Sequence, residues 1–380
     1  MGQSFETKIV HNSLKQTENI RSKSTPIYQT SAFTFSSLEE LEGFYHGESP
    51  YLYTRTGNPN TDELGQAVAN LEGAPAGVAT SSGISAILAG ILSVASTGDH
   101  IVAAEDIYGG SHHLLKQELN ELGIETTFVS FGDVNEVRSA IQANTKLLYS
   151  ETVTNPFLRV ENIKALVQLG KKYNLYTMVD NTFATPYLLN PYLEGVHLVA
   201  HSATKYLGGH SDVTAGVVVG NEELIMKARQ KVVNLGCNLS SFEAWLTCRG
   251  IKTMALRMER QAYNAQQLAE SLSKNSHVKK VYYPTNLSTK GNGAIVTIEL
   301  SESCDIHRFF SSLGWVTIVP TLAGVETTVS YPLGTSHRAL SLEEQQKIGI
   351  NKQVVRISIG IEEAEDIIKQ FEEAIQLSIF

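Results

Sequence analysis

The regular alternation of strand-like and helix-like segments over residues 60–220 restricts the fold of this chain more than any other feature. TDELGQAVANLEG has helical spacing and ends at Gly73, GVATSS is strand-like, and GISAILAGILSVAS is an apolar helix. The same alternation continues to LYTMVD, after which HLVAHS and DVTAGVVVG add two further strands. Such a sequence predicts an α/β fold with a large, mostly parallel sheet that carries helices on both faces.

The pattern changes on either side of this region, and 380 residues exceed what one simple core usually contains. Residues 1–48 form a predicted polar N-terminal arm, and residues 49–245 form the large domain. Residues 246–380 are predicted to form a smaller C-terminal α/β domain, joined through a long helix near residues 252–275. The segment SFEAWLTCRGIKTMALRMERQAYNAQQLAESL is expected to be helical throughout.

Composition excludes several classes of function. The net charge of −9 leaves no basic excess, so nucleic acid is not an expected partner. No apolar run approaches the length of a membrane span, and the N-terminus lacks the apolar segment of a signal peptide. Three widely spaced cysteines form neither a disulfide framework nor a zinc pattern, which favours a reducing cytoplasm. No metal site is expected.

Ligand sites in open α/β sheets collect at the carboxyl ends of strands, where this chain carries reactive residues. Asp180 closes the strand LYTMVD. It is either a turn aspartate or an anion held against a protonated ring nitrogen. Lys205 follows another strand, and hydroxyls and glycines surround it in HSATKYLGGHSD. It is either a solvated loop lysine or a lysine that forms a Schiff base next to a phosphate site.

Two further segments would complete such a site. SSGIS joins a strand to a helix, where unpaired N–H groups and the helix dipole favour a phosphate. Arg356 lies within the apolar strand VVRISIG. It either forms an internal salt bridge or holds a substrate carboxylate through two parallel hydrogen bonds. Together these features are typical of a pyridoxal 5′-phosphate enzyme that acts on an amino acid.

The chain resembles the Cys/Met-metabolism (trans-sulfuration) family of pyridoxal-phosphate enzymes over nearly its whole length. That family includes cystathionine γ-synthase, the cystathionine β- and γ-lyases, methionine γ-lyase and O-acetylhomoserine sulfhydrylase. The resemblance implies the aspartate-aminotransferase-like fold called fold type I. The matching segments are TPIYQTSAF, YTRTGNPN, SSGISA, DIYGGS, ETVTNP, VDNTFATP, HSATKYLGGHSD, RGIKTMALRM and VRISIGIEE.

The resemblance also implies a role for each matching residue. Lys205 would carry pyridoxal 5′-phosphate and later move protons on the substrate, and Asp180 would meet the pyridine nitrogen. Tyr108 would stack on the cofactor ring and could transfer a proton. The implied phosphate ligands are Gly83, Ile84, Ser202 and Thr204, and the implied substrate ligands are Asn155, Arg356 and Thr321.

The motif YTRTGNPN implies an assembly of subunits. In the family, the tyrosine and arginine at the positions of Tyr53 and Arg55 reach the active site of the neighbouring subunit. The resemblance therefore implies that the arm contacts a neighbour. It also implies a homotetramer built from two active-site dimers.

The chemical outcome is less closely defined than the family. A carbon–sulfur lyase is favoured, and a γ-replacement synthase is the alternative. Pro320 stands where several relatives carry a glutamate, which favours a side chain less charged than that of cystathionine, such as methionine, homocysteine or an acylated homoserine. Gly110 and His113 also depart from relatives that have cysteine and arginine nearby.

Other classes of protein find less support. The chain has no G-x-G-x-x-G after a strand, no P-loop motif and no H-E-x-x-H. These absences argue against a nicotinamide dehydrogenase, a P-loop enzyme and a metal hydrolase. A non-catalytic oligomeric binding protein on the same fold is a further alternative, which the retention of Lys205 and Asp180 argues against.

Overall fold

A computed structural model describes residues 3–12, 22–338 and 341–380 of the chain. Its larger sheet has seven strands in the order β1-β7-β6-β5-β4-β2-β3. Strands β2 to β6 pair in parallel with their neighbours, whereas β7 is antiparallel to both β6 and β1. The strands are β1 (Ala76–Thr80), β2 (His100–Ala104), β3 (Glu125–Val129), β4 (Thr145–Glu151), β5 (Tyr176–Asp180), β6 (Leu198–Ser202) and β7 (Gly216–Gly220).

Helices cover both faces of this sheet, so most residues of its central strands are buried. Every residue of β2 and β7 is buried, for example. The predicted mostly parallel α/β fold is confirmed, with β7 as the reversed strand. The helices up to residue 235 are α1 (Phe5–Val10), α2 (Leu38–Tyr45), α3 (Pro59–Glu72), α4 (Gly83–Leu92), α5 (Gly109–His113), α6 (Leu119–Glu121), α7 (Val134–Ala140), α8 (Ile163–Tyr173), α9 (Thr185–Leu188) and α10 (Glu222–Leu235), with a π-helical turn at Leu114–Glu118.

The C-terminal part forms a second sheet of five strands in the order β10-β11-β12-β9-β8. Helices α12, α13 and α15 pack against it around a separate apolar core that includes Phe309 and Phe371. The remaining elements are α11 (Ser241–Ile251), α12 (Met254–Leu272), β8 (Val278–Tyr282), β9 (Ile295–Leu300), α13 (Ile306–Ser311), β10 (Thr317–Ile318), β11 (Thr328–Ser330), a 3₁₀ turn at Pro332–Gly334, α14 (Leu342–Lys347), β12 (Val354–Ser358) and α15 (Ala364–Ser378). The domain boundaries drawn from the sequence stay a prediction.

The long helix expected from Ser241 onward is interrupted between α11 and α12. At the break, the Arg257 guanidinium donates to the backbone carbonyls of Gly250 and Tyr206. A Cβ atom on Gly250 would lie 2.1 Å from the Gly208 carbonyl oxygen. The prediction of one continuous helix was wrong because helical periodicity does not report this tertiary contact.

The N-terminal segment contains two short helices, α1 and α2, which were not predicted. Helix α1 packs on its own subunit, since Ile9 is buried and the Phe5 ring meets that of Tyr187 edge-on. The contact of residues 1–48 with a neighbouring subunit stays a prediction. Within the described ranges, no helix combines the length and the apolar character that crossing a bilayer requires.

Candidate active site

A cavity of about 240 Å³ opens at the carboxyl edge of the larger sheet, beside the C-terminal part of the chain. Strand ends supply Asp180 and Ser202 to its wall, and β12 supplies Arg356. The fold thus brings together residues that are up to 273 positions apart, from Gly83 to Arg356. The predicted site residues that line the cavity are Gly83, Ile84, Tyr108, Asn155, Asp180, Ser202, Thr204, Lys205 and Arg356.

The amine of Lys205 is largely withdrawn from water and lies close to a second cation. Its Nζ donates a hydrogen bond to Thr321 Oγ1 at 2.7 Å, which connects the third predicted substrate ligand to the site. Burial and the positive charge of Arg356 lower the pKa of Lys205 to about 8. About a tenth of this amine is therefore unprotonated at pH 7, far more than for an ordinary lysine, and attack on an aldehyde requires the unprotonated form.

Asp180 places a buried carboxylate against the cavity without a basic side chain to balance it. Its Oδ1 accepts a hydrogen bond from the Thr182 N–H at 2.8 Å. Burial raises the pKa of Asp180, although the Thr182 bonds and nearby His201 oppose the shift. Among the described residues, no Lys, Arg or His nitrogen comes within ion-pair distance of Asp180. A cationic ring nitrogen would supply the missing partner.

The start of α4 has the form of a phosphate cradle. Ser82 caps the helix by accepting a hydrogen bond from the Ser85 N–H at 3.1 Å. The first-turn N–H groups of Gly83 and Ile84 have no partner within the helix and face the same cavity. A Cβ atom at Gly83 would lie 2.6 Å from the Ser202 Cβ, so this position requires glycine. These donors suit a phosphate group.

Arg356 is a buried guanidinium that has no acidic partner among the described residues. One nitrogen donates to Asn155 Oδ1 at 3.1 Å and another to the Thr321 carbonyl at 3.5 Å. Its Nε has no hydrogen-bond partner in the described ranges. Of the two sequence-based alternatives, an internal salt bridge is therefore absent from the described part of the chain. The free bonding capacity suits a substrate carboxylate.

Tyr108 lies at the mouth of the cavity, and 43% of its surface is exposed. Its backbone N–H donates to Glu151 Oε1 at 2.8 Å. Glu151 ends β4, is paired in register with Asp180, and also lines the cavity. Burial, followed by the charge of Asp180, raises the pKa of Glu151. The sequence-based site lacked Glu151, although the strand-end rule that selected Asp180 applies equally to TKLLYSE.

Other cavity residues were not selected from the sequence because nothing in their local pattern distinguishes them. Ser111 and Thr182 are small polar residues within the motifs DIYGGS and VDNTFATP that were given no role, and Ser336 lies in a loop of the C-terminal part. Pro320 lines the cavity, whereas His113 does not line it and pairs with Glu118 at 3.4 Å. Loop residues of this kind reach a site only through the tertiary fold.

Tyr53 and Arg55 do not line the cavity of their own subunit. The Arg55 guanidinium donates to the Val233 carbonyl at 3.3 Å and lies 5.7 Å from the centre of the Tyr53 ring. Tyr53 is 44% exposed. Their predicted role in a neighbouring subunit stays a prediction.

The chain is similar to known proteins over nearly its whole length. Residues 6–376 match the family model described as Cys/Met metabolism PLP-dependent enzyme. The chain is 38% identical to a cystathionine β-lyase of Lactococcus lactis subsp. cremoris over 98% of this chain and 99% of that protein. It is also 38% identical to an L-methionine γ-lyase of Porphyromonas gingivalis, over 97% and 96% of the two chains.

Among solved structures, cystathionine γ-synthase of Xanthomonas oryzae pv. oryzae in complex with cystathionine superimposes with a TM-score of 0.94. The two chains are 32% identical, and the match covers 100% of this chain and 99% of that one. The fold, the cofactor and the enzyme class predicted from the sequence are confirmed. The chain belongs to the Cys/Met-metabolism family of pyridoxal 5′-phosphate-dependent enzymes, which contains both lyases and γ-replacement enzymes.

Proposed function

We propose that this enzyme is a carbon–sulfur lyase that converts a sulfur amino acid into a thiol, ammonia and a 2-oxo acid. The observation that carries this proposal is the buried guanidinium of Arg356, which has no acidic partner among the described residues and lies in the same cavity as Lys205. A carboxylate held there presents its own Cα to the Lys205 amine. The names of the Lactococcus and Porphyromonas relatives support the lyase class.

The bound cofactor supplies an electron-withdrawing ring that makes the Cα and Cβ protons of an amino acid acidic. Arg356 and Asn155 bind the substrate carboxylate and so fix the direction of the Cα–H bond. Lys205 Nζ accepts the Cα proton, and the Thr321 hydroxyl orients this amine. Asp180 would supply the carboxylate that keeps the ring nitrogen protonated when the cofactor is bound. The Tyr108 hydroxyl is positioned at the mouth to donate a proton to the departing sulfur.

The lining of the cavity supports an uncharged substrate side chain. Beyond Lys205 and Arg356, the described residues contribute no further basic side chain to the wall. Pro320 and Leu322 contribute apolar surface close to Thr321. The second carboxylate of cystathionine would therefore find no cation in this chain, so methionine or homocysteine fits better. Cystathionine is the second candidate, because the Lactococcus relative is a cystathionine β-lyase.

A γ-replacement reaction is the alternative outcome, and the Xanthomonas γ-synthase supports it. The two outcomes are separated by offering methionine, homocysteine, cystathionine, cysteine and O-acetylhomoserine, each with and without an added thiol. A lyase releases ammonia and 2-oxobutyrate from methionine alone, or pyruvate from a β-elimination. Product that forms only when an activated homoserine and a thiol are both present would refute the lyase proposal.

We also infer that Tyr53 and Arg55 complete the active site of a neighbouring subunit. Their exposure and their absence from their own cavity support this arrangement. Mixing inactive Lys205→Ala subunits with inactive Arg55→Ala subunits should then restore activity, since some sites would combine intact residues from both chains. A mixture that stays inactive after verified subunit exchange would contradict the inference. Sedimentation of the purified protein tests the proposed tetramer.

A further inference from the structure

A buried cluster of polar side chains lies on the other face of the sheet from the cavity. Side chains alternate along a strand, so Asn181 and His201 point away from the face to which their neighbours Asp180 and Ser202 belong. Both meet Glu72, the last residue of α3. Glu72 is completely buried, and His201 is 1% exposed. None of the three lines the cavity.

Glu72 joins the ends of two neighbouring strands through one carboxylate oxygen. Its Oε1 accepts from Asn181 Nδ2 at 2.7 Å and lies 2.9 Å from His201 Nε2. Asn181 Nδ2 also donates to the Leu189 carbonyl, and Asn181 Oδ1 accepts from the Thr152 hydroxyl at 2.9 Å. The cluster therefore connects the carboxyl ends of β4, β5 and β6 to the end of α3.

Stability alone does not account for this cluster. Glu72 Oε2 and His201 Nδ1 are buried, and neither has a hydrogen-bond partner among the residues that the structure describes. Such atoms carry a desolvation cost, and apolar residues of similar volume often stabilise a protein as well as a buried ionisable pair does. What an apolar pair could not supply is a directional bond to each strand end. The bonds act at the residues directly beside Asp180 and Ser202.

We propose that Glu72, Asn181 and His201 form a rear anchor that fixes Asp180 and Ser202 against the ring and the phosphate of the bound cofactor. The anchor residues are positioning residues, since they act only through the two strands. A displacement of about 1 Å at a site of this kind has large effects on binding and catalysis. The rear anchor would therefore control how long the cofactor stays bound.

The test replaces Glu72 and His201 by leucine in the holoenzyme. Glu72→Leu/His201→Leu should fold, yet release pyridoxal 5′-phosphate about 10-fold faster, by analogy with residues that orient metal ligands from behind. Release is followed as loss of visible absorbance while a phosphatase destroys the free cofactor. The circular dichroism of the bound cofactor should also weaken, because the ring is held less firmly. Glu72→Gln keeps an acceptor of equal length and should remain within about twofold of the wild type.

A matched control lies at the opposite edge of the same sheet. His100 is equally buried, bonds Thr145 at 2.8 Å and Thr127 at 2.9 Å, and begins β2 far from the carboxyl edge. His100→Leu should lower thermal stability without changing cofactor release. If the double variant does not fold, Asn181→Ala separates Glu72 from β5 and should accelerate release in the same way.

Two results would overturn the rear anchor. One is a folded double variant, or a folded Asn181→Ala variant, whose release rate and visible dichroism match those of the wild type. The other is an equal acceleration of cofactor release in His100→Leu. It would show that the loss of any buried hydrogen bond in the sheet weakens cofactor binding.

Discussion

The two walls of the cavity each carry one buried cation, but the two cations differ in what they can do. The wall formed by the larger sheet holds Lys205, whose pKa falls to about 8. The wall formed by the C-terminal part holds Arg356, whose pKa falls only to about 10. The lysine can therefore lose its proton near neutral pH, whereas the guanidinium stays charged. We therefore propose that the wall of the larger sheet performs the proton transfers and that the C-terminal wall binds the substrate carboxylate.

The largest effect on activity is expected from a change in the wall formed by the larger sheet, which holds Lys205. Lys205→Ala removes the amine that we propose holds the cofactor and moves protons, so kcat should fall by at least about 10³-fold. Steady-state assays and the absence of a borohydride-stabilised cofactor adduct measure this loss. Lys252→Ala, an alteration outside the cavity, should change neither. Substantial turnover by Lys205→Ala would mean that another group performs the proton transfers.

A change in the wall formed by the C-terminal part, which holds Arg356, should alter KM rather than the cofactor. Arg356→Leu should raise KM about 100-fold while the visible cofactor spectrum persists, since a buried guanidinium–carboxylate contact contributes about 2–5 kcal/mol. Arg257 is a suitable comparison because its guanidinium is also buried but bonds only backbone carbonyls and Thr253. Arg257→Lys should lower the thermal stability and leave KM nearly unchanged. Equal KM effects in both variants would remove the distinction between the walls.

Pro320 gives a way to change the preference of the substrate wall. Pro320→Glu adds a carboxylate to the cavity lining, where it can bind the distal ammonium group of cystathionine. The ratio of kcat/KM for cystathionine to that for methionine should rise about 10-fold. Pro320→Gln, which adds bulk without charge, is the matched control. An unchanged ratio in Pro320→Glu would show that the side chain lies elsewhere in the bound complex.

The pH dependence of cofactor binding connects the two walls. In the cofactor-free enzyme, incorporation of pyridoxal 5′-phosphate needs unprotonated Lys205, so its rate should rise with pH and level off above about 8. Arg356→Leu removes a positive neighbour that lowers this pKa. The midpoint of the rate profile should therefore move to higher pH in that variant. An identical midpoint in both proteins would mean that the two cations are not electrostatically coupled.

The smallest effect concerns the loop that carries Thr321. Ala323 has a φ of +72°, a conformation that costs a non-glycine residue about 1 kcal/mol or more. Ala323→Gly relieves this strain but adds freedom to the unfolded chain, so the free energy of unfolding should rise by about 0.5 kcal/mol. Urea denaturation measures the difference. A loss of stability would show that the Ala323 methyl group packs well enough to outweigh the strain.

Local patterns predicted the larger sheet and much of the site because parallel strands deliver their carboxyl ends to one edge. The rule that selected Asp180 would also have selected Glu151 had it been applied to every strand. The contact between Glu72 and His201 could not be predicted in this way, because 129 positions separate the two residues. In the sequence, His201 stands only as the first residue of the segment HSATKYLGGHSD. The break at Gly250 likewise depends on a contact with Gly208.

The amino-acid sequence by itself determined the alternation of strands and helices over residues 60–220, several residues at the strand ends and the family to which the enzyme belongs. These features depend on periodicity and on short motifs, which neighbouring residues encode. Only the tertiary structure decided that Arg356 lacks an acidic partner within the described part of the chain and that the Lys205 amine meets the Thr321 hydroxyl. Burial, distance and charge balance arise between segments far apart in the chain, so they exist only once the two walls enclose the cavity.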